Sequence, residues 1–327
     1  MPAEESRETL HIKNERHAHT RTTFKMPGEL RLGAPTLRVG NAGIMKKFYV
    51  EKLGLAVKRE FKDTSDSLNV TELGFESSSG KSEGETVIVL KDDPEAVVPP
   101  HDFAGLYHYA LLVPDRRSLA STYLALEHFG ARYDGFANHT FSESLYLHDV
   151  ENNGIEIYAD RPRSEWPDWG RMTDSLNHGD MSALNIMTRP LDLGSLLREL
   201  NGSQSTGVTS FPAGAVIGHM HLRVTDLERS VKFYHEKLGL DVKAYIPQIG
   251  AAFLSAGGYH HHLGLNTWHS GNGSPHRTGY SGLDSFTFIV PDRHIVEELA
   301  AVIDGASVVN GKLTFSDPDG IVISVEA

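Results

Sequence analysis

Histidine is the residue type that stands out here: the chain has 18 histidines and no cysteine in 327 residues. A transition-metal site must therefore be built from imidazole and carboxylate, and disulfides, thiolate ligands and cysteine nucleophiles are excluded. Strand alternation sorts the candidates by face. In GHMHLRV (218–224), His219, His221 and Arg223 share one face, while Met220, Leu222 and Val224 share the other. In YHYALLV (107–113), His108 lies opposite Tyr107, Tyr109 and Leu111. In IEIY (155–158), Glu156 lies opposite Ile155 and Ile157. Helices covering the apolar faces would leave the polar faces lining a concavity. Polar groups there need a ligand, a metal or water.

The elements that must position these residues are repeated. GAPTLRVGNAGIMKKFYVEKLGL (33–55) returns as GHMHLRVTDLERSVKFYHEKLGL (218–240), and GLYHYALLVPDR (105–116) returns as GLDSFTFIVPDR (282–293). The latter two are followed by HDVENNGIEIYA (148–159) and SDPDGIVISVEA (316–327). Each unit reads as a strand, a helix and two or three further strands, such as AAFLSAGG, HHLGLNTW, SLYLHDV and GIEIYA. In the third unit Thr225 and Glu228 have capping-box spacing, Gly239 is a left-handed stop, and Leu227, Val231, Phe233, Tyr234 and Leu238 form an apolar stripe. In the second, 118–130 reads as a helix ending at Gly130. The division expected is a polar extension (1–30), module one (31–100), module two (101–160), a connector (161–213) with one helix near LDLGSLLRELNG, module three (214–275) and module four (276–327).

The bulk properties limit the partners. Lys+Arg 31 minus Asp+Glu 43 gives −12, a balance with no general pull toward nucleic acid or an anionic membrane. No apolar run is long enough for a membrane helix. The opening residues lack the apolar core of a secretory signal, so the expectation is a cytoplasmic protein. A homo-oligomer is compatible with all of this.

A βαβββ unit used in pairs, curling into a half-open barrel around a metal, is the module of the vicinal oxygen chelate superfamily. GHMHLRVTDLERSVKFYHEKLGL and DPDGIVISVEA resemble its opening and closing segments. GLYHYALLVPDR, SESLYLHDVENNGIEIYADRPRSEW and SAGGYHHHLGLNTW together resemble the four-module extradiol dioxygenases of the catechol 2,3-dioxygenase type, over residues 31–327. The resemblance implies an α+β fold: four βαβββ modules forming two half-open mixed-sheet barrels.

The resemblance also implies roles, residue by residue. Metal ligands of the superfamily lie on the first and last strands of a module. Those positions are Ala34 in module one, His108 and Glu156 in module two, His219 in module three, and Ser285 and Ser324 in module four. Modules one and four are thus stripped of ligands. His108, His219 and Glu156 form the two-histidine, one-carboxylate set of non-haem Fe(II) sites, and the same set holds Mn(II). Consecutive pairing of modules would split this set, so module two is expected to pair with module three, and module one with module four. The implied proton-handling residues are His261, His139 and Tyr146. Alternation puts His261 on the face opposite His260 and His262, and the sequence leaves open which of the three faces the metal. His221 shares the face of His219. Phe253, Leu265, Trp268 and Tyr146 are candidate pocket walls.

The activity implied is ring cleavage of a catechol-type small aromatic substrate with O2. A glyoxalase-type metal-dependent lyase or isomerase, and a non-catalytic binding protein of the bleomycin-resistance kind, are the alternatives. The first usually carries four protein ligands where three are visible, and the second generally lacks them.

Overall fold

The computed structural model describes residues 24–75, 85–177, 182, 187–200, 212 and 214–327. In chain order, β1 (Arg31–Leu32) leads into β2 (Thr36–Val39), α1 (Ala42–Leu53), β3 (Ala56–Lys62), β4 (Asn69–Gly74) and β5 (Thr86–Asp92). A second unit holds β6 (Gly105–Leu112), α2 (Arg116–His128), β7 (Tyr133–Asn138), β8 (Ser142–His148) and β9 (Gly154–Asp160). The intervening segment holds α3 (Trp169–Asn177), β10 (Arg189–Pro190) and α4 (Leu193–Arg198). A third unit holds β11 (Val216–Arg223), α5 (Leu227–Glu236), β12 (Asp241–Ile246), β13 (Ala251–Ser255) and β14 (Leu263–Asn266). The last holds β15 (Gly282–Ile289), α6 (Arg293–Val302), β16 (Ser307–Val309), β17 (Lys312–Ser316) and β18 (Val322–Glu326).

These strands form two nine-stranded mixed sheets, neither closed into a barrel. One runs β10-β7-β8-β9-β6-β11-β14-β13-β12, and the other runs β16-β17-β18-β15-β2-β5-β4-β3 with β1 added on β15. In each unit the first and last strands are parallel neighbours, as β6 with β9 and β11 with β14. Two units then meet through antiparallel first strands: β6 with β11 in one sheet, β15 with β2 in the other. Side chains from 105–160 and 216–266 therefore share one concave face.

The repeated motifs are largely punctuation. The aspartates of both VPDR segments are helix N-caps: Asp115 accepts from the Ser118 N–H and Asp292 from the His294 N–H. The glycines of both KLGL segments, Gly54 and Gly239, have φ of 65° and 67°, the left-handed conformation that ends a helix. The Thr225/Glu228 capping box expected for α5 does not form. Asp226 is the N-cap, accepting from the Arg229 N–H, while the Thr225 N–H is held by Asp319 at 2.9 Å. An aspartate one residue closer to the helix caps it while Thr225 takes a partner from the fourth unit.

Two expectations about the flanking segments change. Residues 1–23 of the polar extension lie outside the described residues, but residues 24–30 are packed. Met26 and Leu30 are buried, and the Met26 N–H donates to the Gly239 carbonyl at 3.0 Å. The connector has α4 where a helix was expected, its predicted end at 201–202 lying outside the described residues. It also has α3, which the sequence reading missed because DRPRSEWPDWG shows turn residues and little apolar periodicity. Leu176 of α3 packs with Ala244 and Ile246 of β12. Among the described residues, no helix is long and apolar enough to cross a membrane.

Candidate metal centre

Two rows of side chains cross the centre of the first sheet. Register aligns Glu156 of β9, Ala110 of β6 and His219 of β11 in one row. The next row is Gly154, His108, His221 and Gly264. Paired residues on neighbouring strands point to the same face. The small Ala110 therefore lets Glu156 and His219 lean toward each other, while His108 rises beside them. Glycines flank the two imidazoles of the second row for lack of room. A Cβ on Gly264 would stand 2.9 Å from His221 Cγ, and one on Gly154 would stand 3.0 Å from His108 Cβ and 2.2 Å from the Tyr107 carbonyl oxygen. Register shifts in the β6/β11 pairing bracket His219 and His221, the irregularity that re-aims side chains at sites.

The three residues expected as ligands come together. His108 Nε2 is 3.0 Å and His219 Nε2 is 3.1 Å from Glu156 Oε2, and the two nitrogens are 3.3 Å apart. All three side chains are buried. The other carboxylate oxygen, Oε1, accepts from Ser144 Oγ at 2.6 Å, which turns Oε2 toward the imidazoles. Burial pushes the Glu156 carboxyl up, but His219 and His108 outweigh it and hold the group well below the ordinary carboxylate range. Burial lowers the His219 pKa and the Glu156 charge opposes it, with a net downward shift. An anionic carboxylate beside a neutral imidazole is the protonation state that ligation needs.

This donor set fits a divalent first-row ion. Three cis donors about 2.1 Å from an octahedral metal stand about 3.0 Å apart, close to the spacing observed. Two imidazoles and one carboxylate on one face would leave the opposite face of a bound ion open. His219, His260 and His261 form a second convergent group. It shares His219 and has no carboxylate, so the first group is the better metal site.

The remaining expected residues occupy opposite walls of a cavity of about 730 Å³. On one wall Tyr146 of β8 and His139, just past β7, are a hydrogen-bonded pair at 2.6 Å. His139 Nδ1 lies 3.2 Å from the Met187 carbonyl, so Nδ1 donates there and Nε2 accepts from the Tyr146 hydroxyl. Burial and the neighbouring Glu156 push the Tyr146 phenol well above its ordinary value. On the other wall the His261 ring is 4.2 Å from that of His219, and His260 lies behind it at 6.5 Å. His261 Nδ1 and both nitrogens of His260 are buried without hydrogen-bond partners among the described residues. Burial, with His219 adding to it, holds both imidazoles well below the usual histidine pKa.

The expectation of a strand at His260–His262 is corrected. β14 begins at Leu263, and the three histidines lie in the turn after β13. Strict alternation does not govern a turn, so His260 and His261 both line the cavity. His262 points elsewhere, its Nδ1 accepting from the Ala256 N–H at 3.2 Å and lying 2.9 Å from Ser255 Oγ. Of the expected wall residues, Phe253, Trp268 and Tyr146 line the cavity, whereas Leu265 is core.

Sequence reasoning missed other contributors. Trp169 of α3 stacks on Phe141, with ring centroids 4.4 Å apart at 18°, and both line the cavity. Met187 and Thr188, also from the connector, hold His139. The tryptophans of EWPDWG were the available signal. Ser144 carried a signal too, since alternation places it on the same face as Tyr146.

Among the described residues, the other sheet brings no such group together. Ser324 sits 3.3 Å from Thr314, and the concave face is occupied by Arg38 and Lys91 among Asp63, Asp66, Asp93 and Asp284.

Residues 31–157 and 216–325 match the family model described as the glyoxalase/bleomycin resistance protein/dioxygenase superfamily. A relative in Bacillus subtilis (strain 168), named catechol-2,3-dioxygenase, is 39% identical over 216 residues, covering 65% of this chain and 70% of that protein. The crystal structure of a candidate dioxygenase from Bacillus subtilis superposes with a TM-score of 0.59 at 14% identity, over 92% of this chain and 86% of that one. Glyoxalase I of Zea mays superposes with a TM-score of 0.52 at 16% identity, over 90% of this chain and 92% of that one. The two structural likenesses speak to the fold alone. With the family model matching both halves of the repeat, the chain belongs to the glyoxalase/bleomycin resistance protein/dioxygenase superfamily.

Proposed function

We propose that this protein is an extradiol ring-cleaving dioxygenase. Its substrate is a catechol-type aromatic diol, into which O2 is inserted beside the diol, and its metal is Fe(II), with Mn(II) the other ion the donors suit. The observation that carries the reading is the convergence of His108, His219 and Glu156 at 3.0–3.3 Å, on the floor of a cavity walled by imidazoles, a phenol and aromatic rings. The name of the Bacillus subtilis relative points the same way.

When bound, Fe(II) supplies the redox chemistry by which O2 reacts with the diol. The chain's own residues bind, orient and move protons. Phe141, Trp169 and Phe253 offer flat apolar surface to a ring and keep water away from it. Tyr146 donates to His139, so a proton received at the Tyr146 hydroxyl passes to His139 Nε2. His261, neutral and with Nδ1 lacking a partner among the described residues, is placed to take a proton from the diol on the opposite side and to give it back later in turnover.

The test is anaerobic loading with Fe(II), followed by oxygen-electrode measurement with catechol and detection of the ring-opened semialdehyde. Stoichiometric oxygen uptake with that product is the expected result. Metal binding without oxygen uptake would favour the lyase or isomerase reading instead.

A further inference from the structure

The internal repeat supplies a control for one residue of the cavity, Arg223. It lies four positions past His219 on the same face of β11 and lines the cavity. Its counterpart one repeat earlier, 185 positions back, is Arg38 of β2. Both arginines occupy the same register: Arg38 pairs with Gly282 across the seam of its sheet, and Arg223 with Gly105 across the other.

Their electrostatic surroundings are opposite. Arg38 is neutralised by Asp93 at 2.7 Å and Asp284 at 2.8 Å. The residue in the place of Asp284, 177 positions earlier, is Tyr107. Asp93 lies two residues beyond Lys91, the β5 partner of Arg38, and the residue two beyond Asn266, the β14 partner of Arg223, is Trp268. Both neutralising carboxylates are thus replaced by aromatic rings. Tyr107 and Trp268 meet edge to face at 5.1 Å, and both line the cavity. Arg223 Nε donates to the Leu106 carbonyl at 3.0 Å, and no carboxylate among the described residues pairs with the guanidinium. Asp134, an acidic residue that lines the cavity and acts on Tyr107, is engaged by His148. Burial disfavours the charged form of Arg223, as expected of a cation without a counter-ion.

A partly buried, unpaired guanidinium beside aromatic walls is costly unless an anion completes it. We propose that Arg223 is the specificity-determining residue of the cavity and receives a carboxylate carried on a short arm of the aromatic diol, beside the rings of Tyr107 and Trp268. The proposal rests on the ring-cleavage reading for the diol and adds the anionic substituent. Four residues of strand span about 13 Å, a distance shared between the ring, its arm and the arginine side chain.

The test separates the two claims. Anaerobic calorimetry on Fe(II)-loaded protein compares a catechol carrying a carboxymethyl group with its methyl ester. Phenylacetate and phenylacetamide, which have no diol, are compared on metal-free protein. The acid should bind about 10-fold to 100-fold tighter than its neutral partner in both pairs, the range of a charge-assisted hydrogen bond. Arg223→Gln and Arg223→Met should bring both ratios to about 1, and Arg223→Lys should keep part of the preference. Equal binding of acid and neutral partner in the unaltered protein, or a preference that survives in Arg223→Gln, overturns the proposal. Oxygen uptake is read in parallel with both diols. Acid preference without oxygen uptake upholds the anion subsite and overturns ring cleavage, and oxygen uptake without acid preference does the reverse.

Discussion

The Tyr49 hydroxyl donates to Asp149 Oδ2 at 2.8 Å, joining α1 of the first unit to the turn before β9 of the second. The same bond recurs in the other half, where Tyr234 donates to Asp317 Oδ2 at 2.9 Å. These tyrosines belong to the repeated KFY segments, and the aspartates open DVENNG and DPDG. The sheets join unit two to three and one to four, while the tyrosine–aspartate bonds join one to two and three to four. Each unit is therefore tied to both of its neighbours, and the strand carrying Glu156 is anchored from a helix outside its own sheet.

Removing either hydroxyl leaves a buried aspartate short of a donor. Tyr49→Phe and Tyr234→Phe should each destabilise the fold by about 1–3 kcal/mol, measured by urea denaturation. The double variant should show nearly additive losses, because the pairs share no partner. A loss below about 0.3 kcal/mol in both would mean that the bonds are incidental.

Ligation and orientation should separate. Glu156→Ala should abolish metal binding and oxygen uptake together. Ser144→Ala removes only the hydroxyl that turns Glu156, so metal affinity should fall about 10-fold to 100-fold with the stoichiometry kept at one. Titration with Fe(II), read by calorimetry, decides. Unchanged affinity in Ser144→Ala would show that Glu156 needs no such support.

Proton handling should separate from metal binding. His261→Asn should keep its metal while single-turnover rates fall about 10²–10⁴-fold. If that rate is normal, His260 becomes the candidate, since it lines the same wall. His262 does not, because its Nδ1 is taken by Ala256.

His262 governs a pH effect of its own. Burial, with His219 adding to it, lowers its pKa from 6.5 to about 4. The unfolded chain therefore binds more protons than the folded one between those values. The contribution of His262 to stability is full above about pH 6.5 and is lost as pH falls toward about 4. His262→Gln should flatten that decline, so the gap in Tm between the parent and the variant should shrink on going from about pH 7 to about pH 5. A gap that stays constant with pH would contradict the assignment.

Space beside the imidazoles is the last test. Gly264→Ala would set a methyl against the His221 ring at 2.9–3.1 Å. Because His221 is buried against Tyr107 and His108, it has little freedom to yield, so a cost of about 1–3 kcal/mol is expected. Thermal denaturation reads the cost, and a neutral result would show that the second row tolerates bulk.

Local rules carried the reading of the sequence a long way. Residues such as His219, His221 and Arg223 share a face because strand alternation is a backbone property. Gly54 and Gly239 end helices because left-handed backbone favours glycine. The repeat itself is visible because each half needs the same caps, stops and tyrosine–aspartate pairs. Where local rules lapse, tertiary structure decided. The His260–His262 run lies in a turn, so its directions come from packing against Phe253, Tyr259 and His219 and not from periodicity. The contribution of α3 arises from contacts with β12 and Phe141, about 30 to 70 residues away in the sequence, which no local pattern encodes. The free charge of Arg223 depends on what its neighbours across two strands are. Tyr107 and Trp268 are ordinary aromatics in the sequence, and only the register sets them where the other half has Asp284 and Asp93.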